Sequence, residues 1–161
     1  MAIVSSLPLR QKLFSSLARP SIELCVIITA MQDSAFTKII KGEIPAHKVY
    51  EDDKTIAVIP LHPIAQAHVL VIPKVQVDHF IDLDDEDYQA VMATVKKVGQ
   101  RINDVIRPKR VGLQVVGLDV PHVHVHVIGF DTLSEYREKP DESQEPDYEK
   151  NATLAKSLAF S

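Results

Sequence analysis

Cysteine is almost absent from this chain of 161 residues: Cys25 stands alone. No internal disulfide can form, and no thiolate cluster can hold a metal. That suits a reducing compartment, so a cytoplasmic protein is expected. No apolar run approaches the roughly 18 residues a membrane helix needs, so no membrane partner is expected. Basic charge is also scarce. The net charge is −4, whereas a protein that wraps nucleic acid is normally basic, so nucleic acid is set aside as a partner. There is no internal repeat and no low-complexity tract. What remains is 45% hydrophobic, enough for one domain with its own core.

The stretch that stands out is Pro121-His122-Val123-His124-Val125-His126-Val127-Ile128. Its valines are β-branched and favour extended backbone. Successive side chains on a strand point to opposite faces. The spacing therefore predicts three imidazoles on one face and three valines turned into a core.

Residues 1–31 read unlike the rest. Arg10, Lys12 and Arg19 lie among Ser5, Ser6, Ser15, Ser16 and Ser21, with Glu23 the only acid. A transit peptide, a signal peptide and an upstream extension from a misplaced start are the readings weighed. The last is favoured, with Met31 the initiator, because a helix start follows at once. A domain over 32–131 and an acidic tail over 132–161 complete the expected organisation.

Ser34 predicts the cap of a helix through Ile40, stopped by Gly42 and Pro45. Strands are expected at 48–51 and 55–59, around a turn at Asp52-Asp53, and at 68–72. Asp82, Asp84 and Asp85 offer N-cap choices for the longest helix, 85–106, in which Tyr88, Val91, Met92, Val95, Val98, Ile102 and Val105 recur at helical spacing. Strands over 111–116 and through the histidine run complete an α+β fold: an antiparallel sheet with the helices segregated to one face. The acidic, proline-bearing stretch 131–150 reads as a solvated linker, followed by a short helix over 152–160.

Imidazole titrates near neutrality, at a reference pKa of about 6.5. One histidine can then be a neutral nucleophile while a neighbour is a donor. Phosphorus chemistry needs that pair: a nitrogen to attack, N–H groups to hold oxygens, and a proton for the leaving group. His124, flanked on both sides, is the natural nucleophile, and its protonation should lower the rate as pH falls through about 6. Zinc ligation by the same histidines, with a metal-bound hydroxide, is a rival reading, though only Asp119 is close enough to help complete such a site. A pH-sensing or inert histidine face is the third.

His-Val-His-Val-His-Val-Ile resembles the signature of the histidine triad (HIT) family of nucleotide hydrolases and transferases. Three further blocks are similar, and in the same order: Phe36 to Ala46, Tyr50 to Asp53, and His68 to Lys74. The resemblance implies a five-stranded antiparallel sheet with two main helices on one face, and a homodimer joined partly through the long helix. It implies a nucleotide or nucleotide conjugate as ligand, held at the α-phosphate, with no cofactor and no metal in the chemical step. By the motif, His124 would form a nucleotidyl-histidine intermediate, His122 would orient it, and His126 would contact the phosphate or bridging atom. His68 matches a fourth histidine beside the triad. Phe36, Ile39, Val58 and Leu61 align with the apolar nucleobase pocket. His62 and His79 match no functional position and read as loop residues.

Three departures stand out. Members with a structural zinc hold it by Cys-x-x-Cys and histidines; here Ser34, Thr37 and Gln76 occupy three of those positions, and no zinc is expected. The aspartate that accepts from the ribose hydroxyls is replaced by Pro60, which has no side-chain acceptor. The loop before the triad is short. Leu118 and Asp119 replace an amide and a hydroxyl, and Gln114 is the nearest amide. Asp119 is expected to favour an amine-bearing leaving group over an anionic polyphosphate.

Overall fold

Residues 32–160 are described by the computed structural model. The 1–31 readings lie outside them. The first helix, α1 (Ala35–Ile40), begins where Ser34 Oγ accepts from the Thr37 amide. It ends before Gly42, whose φ of +78° suits a residue without Cβ. Strands β1 (His47–Glu51) and β2 (Thr55–Ile59) form a hairpin. Asp52 Oδ1 closes its turn, accepting from the amides of Lys54 at 3.0 Å and Thr55 at 2.7 Å. Strand β3 (Ala67–Pro73) is buried along its whole length.

The long helix α2 (Asp85–Val105) starts at Asp84, whose carboxylate accepts from the Asp87 amide. Three acids fill its first turn, where the helix dipole favours negative charge. Strands β4 (Arg110–Gln114) and β5 (Val125–Phe130) follow. A one-turn helix, α3 (Leu133–Tyr136), and a longer one, α4 (Tyr148–Leu158), complete the chain. The sheet order is β1-β2-β3-β5-β4, and every pair is antiparallel.

Alternation along the strands splits the core. Val69, Val71, Val125 and Val127 meet Val91, Val95, Val98 and Ile102 of α2, with Ala155 and Leu158 of α4. The two longest helices thus share one face, but the helices are not all segregated there, since α1 packs on the other. Gly129 explains how close they come: a Cβ there would lie 2.8 Å from Ile102 Cγ2. On the other face Ile56, Val58, Leu70 and Ile72 pack with Phe36 of α1. His126 belongs to this second face, level with Leu70 on one side and Gln114 on the other.

Two boundaries differ from the sequence reading. The strand expected over 111–116 stops at Gln114, and Val115 and Val116 are exposed beyond it. The histidine strand begins only at Val125. Pro121 to His124 lie outside the ladder because their polar groups are engaged elsewhere: the Val123 amide donates to Val77 at 2.7 Å, and both ring nitrogens of His122 are bonded.

Candidate active site

The three triad imidazoles are held by different means. His122 is fully buried. Its Nε2–H donates to the Pro73 carbonyl at 2.8 Å, because a carbonyl can only accept. Its Nδ1 therefore accepts from the Ser34 hydroxyl, also at 2.8 Å. Burial pushes its pKa below the usual histidine value. This ring is a structural strut between α1 and the end of β3. What orients His124 is the main chain of His122: its carbonyl accepts from His124 Nδ1–H at 2.8 Å. With the proton fixed on Nδ1, His124 Nε2 keeps a free lone pair. Phe36 packs on the His124 ring, with centroids 4.9 Å apart.

His126 lies beside His124, with ring centroids 5.0 Å apart. Its tautomer follows from a chain of bonds that starts at main chain. The Ile64 amide donates to His68 Nδ1 at 3.3 Å. His68 must then carry its proton on Nε2, and donates it to His126 Nδ1 at 2.9 Å. That leaves the His126 proton on Nε2. Burial, chiefly, lowers the pKa of His68 to about 3 and that of His126 to about 4. Both are neutral at cell pH, so His126 offers an N–H donor without a charge. The site thus pairs an unprotonated ring nitrogen with a neutral N–H donor on the neighbouring ring.

A cavity of about 670 Å³ opens beside His68 and His126, which stand in its wall; His122 and His124 do not line it. Its volume lies in the range that holds a small-molecule ligand. Phe36, Ile39, Val58 and Leu61 all line it. Gln114 stands level with His126 in the sheet, but its amide nitrogen donates to the Tyr136 carbonyl at 2.9 Å. Asp119 is exposed in the loop before the triad and near enough to exert a field on His126.

Sequence reasoning missed part of this wall. His62, read as an ordinary loop residue, lines the cavity, whereas His79 is exposed. Pro140, Glu142 and Tyr148 line it too, and they fall within the stretch read as a solvated linker. The terminal helix begins at Tyr148, not 152, with Asp147 accepting from the Lys150 amide. The signal that was available is this cap: an aspartate three residues before Lys150, ahead of Ala152, Leu154 and Ala155.

At the positions where the resemblance implies structural zinc ligands, this chain has hydroxyls and an amide. Ser34 Oγ lies 3.1 Å from Thr37 Oγ1 and is bonded to His122, and Thr37 donates to Gln76 Oε1. Gln76 Oε1 also accepts from the Ser34 amide at 3.0 Å. Hydroxyl and amide oxygens are poor zinc ligands, and here they satisfy one another. The donor set does not fit the metal. Elemental analysis of purified protein is expected to show zinc far below one per chain; stoichiometric zinc would contradict this.

The family model described as HIT domain matches residues 41–133. The chain is 35% identical over 102 residues to an adenosine 5′-monophosphoramidase of Candida albicans, covering 58% of this chain and 67% of that protein. A HIT-like protein involved in cell-cycle regulation from Bartonella henselae has a similar structure, with TM-score 0.69 and 27% identity over 78% of this chain and 93% of that one. A hypothetical histidine triad nucleotide-binding protein from Sulfolobus tokodaii gives TM-score 0.64 and 28% identity, over 76% of this chain and 87% of that one. The triad, the sheet order and a family match spanning more than half of the sequence agree: the chain belongs to the histidine triad (HIT) family.

Proposed function

We propose that this protein hydrolyses nucleotide conjugates at the α-phosphate through a nucleotidyl intermediate on His124, and that phosphoramidates are its preferred substrates. The observation that carries the reading is the bond from His124 Nδ1–H to the His122 carbonyl, which leaves Nε2 free to attack. The names of two relatives support it: one is an adenosine 5′-monophosphoramidase and the other a hypothetical histidine triad nucleotide-binding protein.

In the first step His124 Nε2 bonds to phosphorus and the bond to the leaving group breaks. His126 Nε2–H holds an oxygen of the phosphoryl group and stays neutral throughout. A phosphoramidate nitrogen is protonated from solvent before it departs, so it leaves as a neutral amine. Asp119, beside the triad, can accept a hydrogen bond from that amine. In the second step water attacks phosphorus, the P–N bond to His124 breaks, and nucleoside monophosphate is released. Each step uses groups that stand ready in the folded protein.

The same proposal extends to a cytoplasmic homodimer. The single cysteine supports the compartment. Exposed Leu113, Val115, Val116 and Leu118 run along the sheet-edge strand β4 and beyond it, and support the dimer.

The test is nucleoside monophosphate release from an adenosine phosphoramidate and from a dinucleoside polyphosphate. The expected result is release from both, with the larger kcat/KM for the phosphoramidate. Calorimetric binding without release from either would make the protein a nucleotide-binding partner protein instead. That second reading is kept open by Pro60 and Leu118, which remove polar groups the family uses.

A further inference from the structure

We propose that Glu142, on the segment between α3 and α4, reads the sugar hydroxyls of the bound nucleotide. The inference rests on the nucleotide reading above. It starts from the composition of the cavity wall. Most of the wall is apolar, and among the described residues that line it Glu142 is the one carboxylate. An ionised carboxylate only accepts hydrogen bonds, so its partner must bring donors. Among the described residues Glu142 has no hydrogen-bond or ion-pair partner, so its acceptors remain available to a ligand.

The segment that presents Glu142 is fixed on both sides. Ahead of it Pro140 restricts the backbone. Around it, Asp141 Oδ1 accepts from the Ser143 amide at 3.1 Å and its hydroxyl at 2.6 Å, and Oδ2 accepts from Gln144 at 2.6 Å. Beyond it, Asn151 of α4 is buried and donates to the carbonyls of Leu61 at 3.0 Å and Pro60 at 3.4 Å. Asn151 is thus a positioning residue. It ties the helix after Glu142 to the loop Pro60–His62, whose three residues line the same cavity.

The placement selects hydroxyls as the donors. Phosphorus must sit at the histidine end, against His126, and the base finds apolar surface on Phe36, Ile39 and Val58. The sugar lies between them, along the rim that the Pro60–His62 loop and the tail share. Pro60 offers no side-chain acceptor there, and Glu142 does.

Binding of adenosine monophosphate, inosine monophosphate and 2′,3′-dideoxyadenosine monophosphate to wild type and Glu142→Gln would decide it by calorimetry. The substitution keeps the shape of an exposed side chain and removes its charge. Hydrogen bonds to charged groups predict that Kd for both ribonucleotides rises by about tenfold or more. Kd for the dideoxynucleotide should be unchanged. An unchanged Kd for the ribonucleotides, or an equal loss on the dideoxynucleotide, overturns the assignment to the sugar. A loss on both adenine nucleotides that spares inosine monophosphate moves the contact to the base amine and overturns it as well. If wild type binds none of the three, the nucleotide reading itself fails, which is a different outcome from an indifferent variant.

Discussion

Replacing His124 by alanine is expected to lower kcat for nucleoside monophosphate release by about 10⁴-fold or more, the scale seen when a catalytic nucleophile is removed. The loss should fall on kcat and leave nucleotide affinity nearly intact. The apolar cavity wall of Phe36, Ile39 and Val58 is untouched by the change. The imidazole is also well placed to be removed without unfolding the chain. Among the described residues its hydrogen bond is to the His122 carbonyl, and the rings of Phe36 and His126 lie tilted against it. His122 behaves differently. Its ring ties Ser34 to Pro73, so His122→Ala should cost stability as well as activity. The two variants together separate the nucleophile from its support. Steady-state kinetics alongside nucleotide affinity is the measurement. A His124→Ala protein that turns over like wild type would remove the assignment.

The second large effect is on folding, and it appears on acidification. His68 is 2% exposed and its pKa falls from 6.5 to about 3 in the folded protein. Burial is the main cause, with His126 and His124 adding to it. The unfolded chain takes up a proton on this residue below about pH 6.5, and the folded chain refuses it until about pH 3. The stabilisation is therefore complete above pH 6.5 and is lost progressively as pH falls through that window. At about 1.4 kcal/mol per pH unit, His68 costs the fold on the order of 3 kcal/mol by pH 4. His126, its neighbour, shifts in the same direction. Urea unfolding at a series of pH values reads this directly. His68→Gln keeps an N–H to donate to His126 Nδ1 and removes the titrating ring. Its stability should depend on pH less steeply between 6.5 and 4 than that of wild type. Parallel profiles would show that His68 does not stay neutral in the fold.

Much of this site was legible in the sequence. The alternation of histidine and valine gave the division of faces correctly for Val125, His126 and Val127, because one face of β5 is buried under α2. The long helix was plain from its apolar period, and the structure picks Asp84 from the acidic caps on offer and ends the helix at Val105, one residue short of the expected 106. What failed did so for non-local reasons. Periodicity extends the histidine strand back to His122, but Pro73, Val77 and Ser34 claim that segment's polar groups, and all three are remote in sequence. The roles of the imidazoles also lay outside the pattern. Which nitrogen carries each proton depends on the Ile64 amide and the His122 carbonyl. The tail was read as a solvated linker because its charges and prolines describe local preference only. Its place in the cavity wall depends on Asn151 reaching Leu61, a contact 90 residues apart in sequence.

The central claim is covalent: His124 Nε2 bonds to phosphorus before water does. Stereochemistry at phosphorus tests it most directly. A nucleoside phosphorothioate conjugate of defined configuration is hydrolysed in ¹⁸O-water, and the configuration of the released thiophosphate is read. Two successive in-line displacements, first by His124 and then by water, predict net retention. Net inversion would mean a single attack by water, and would contradict the account.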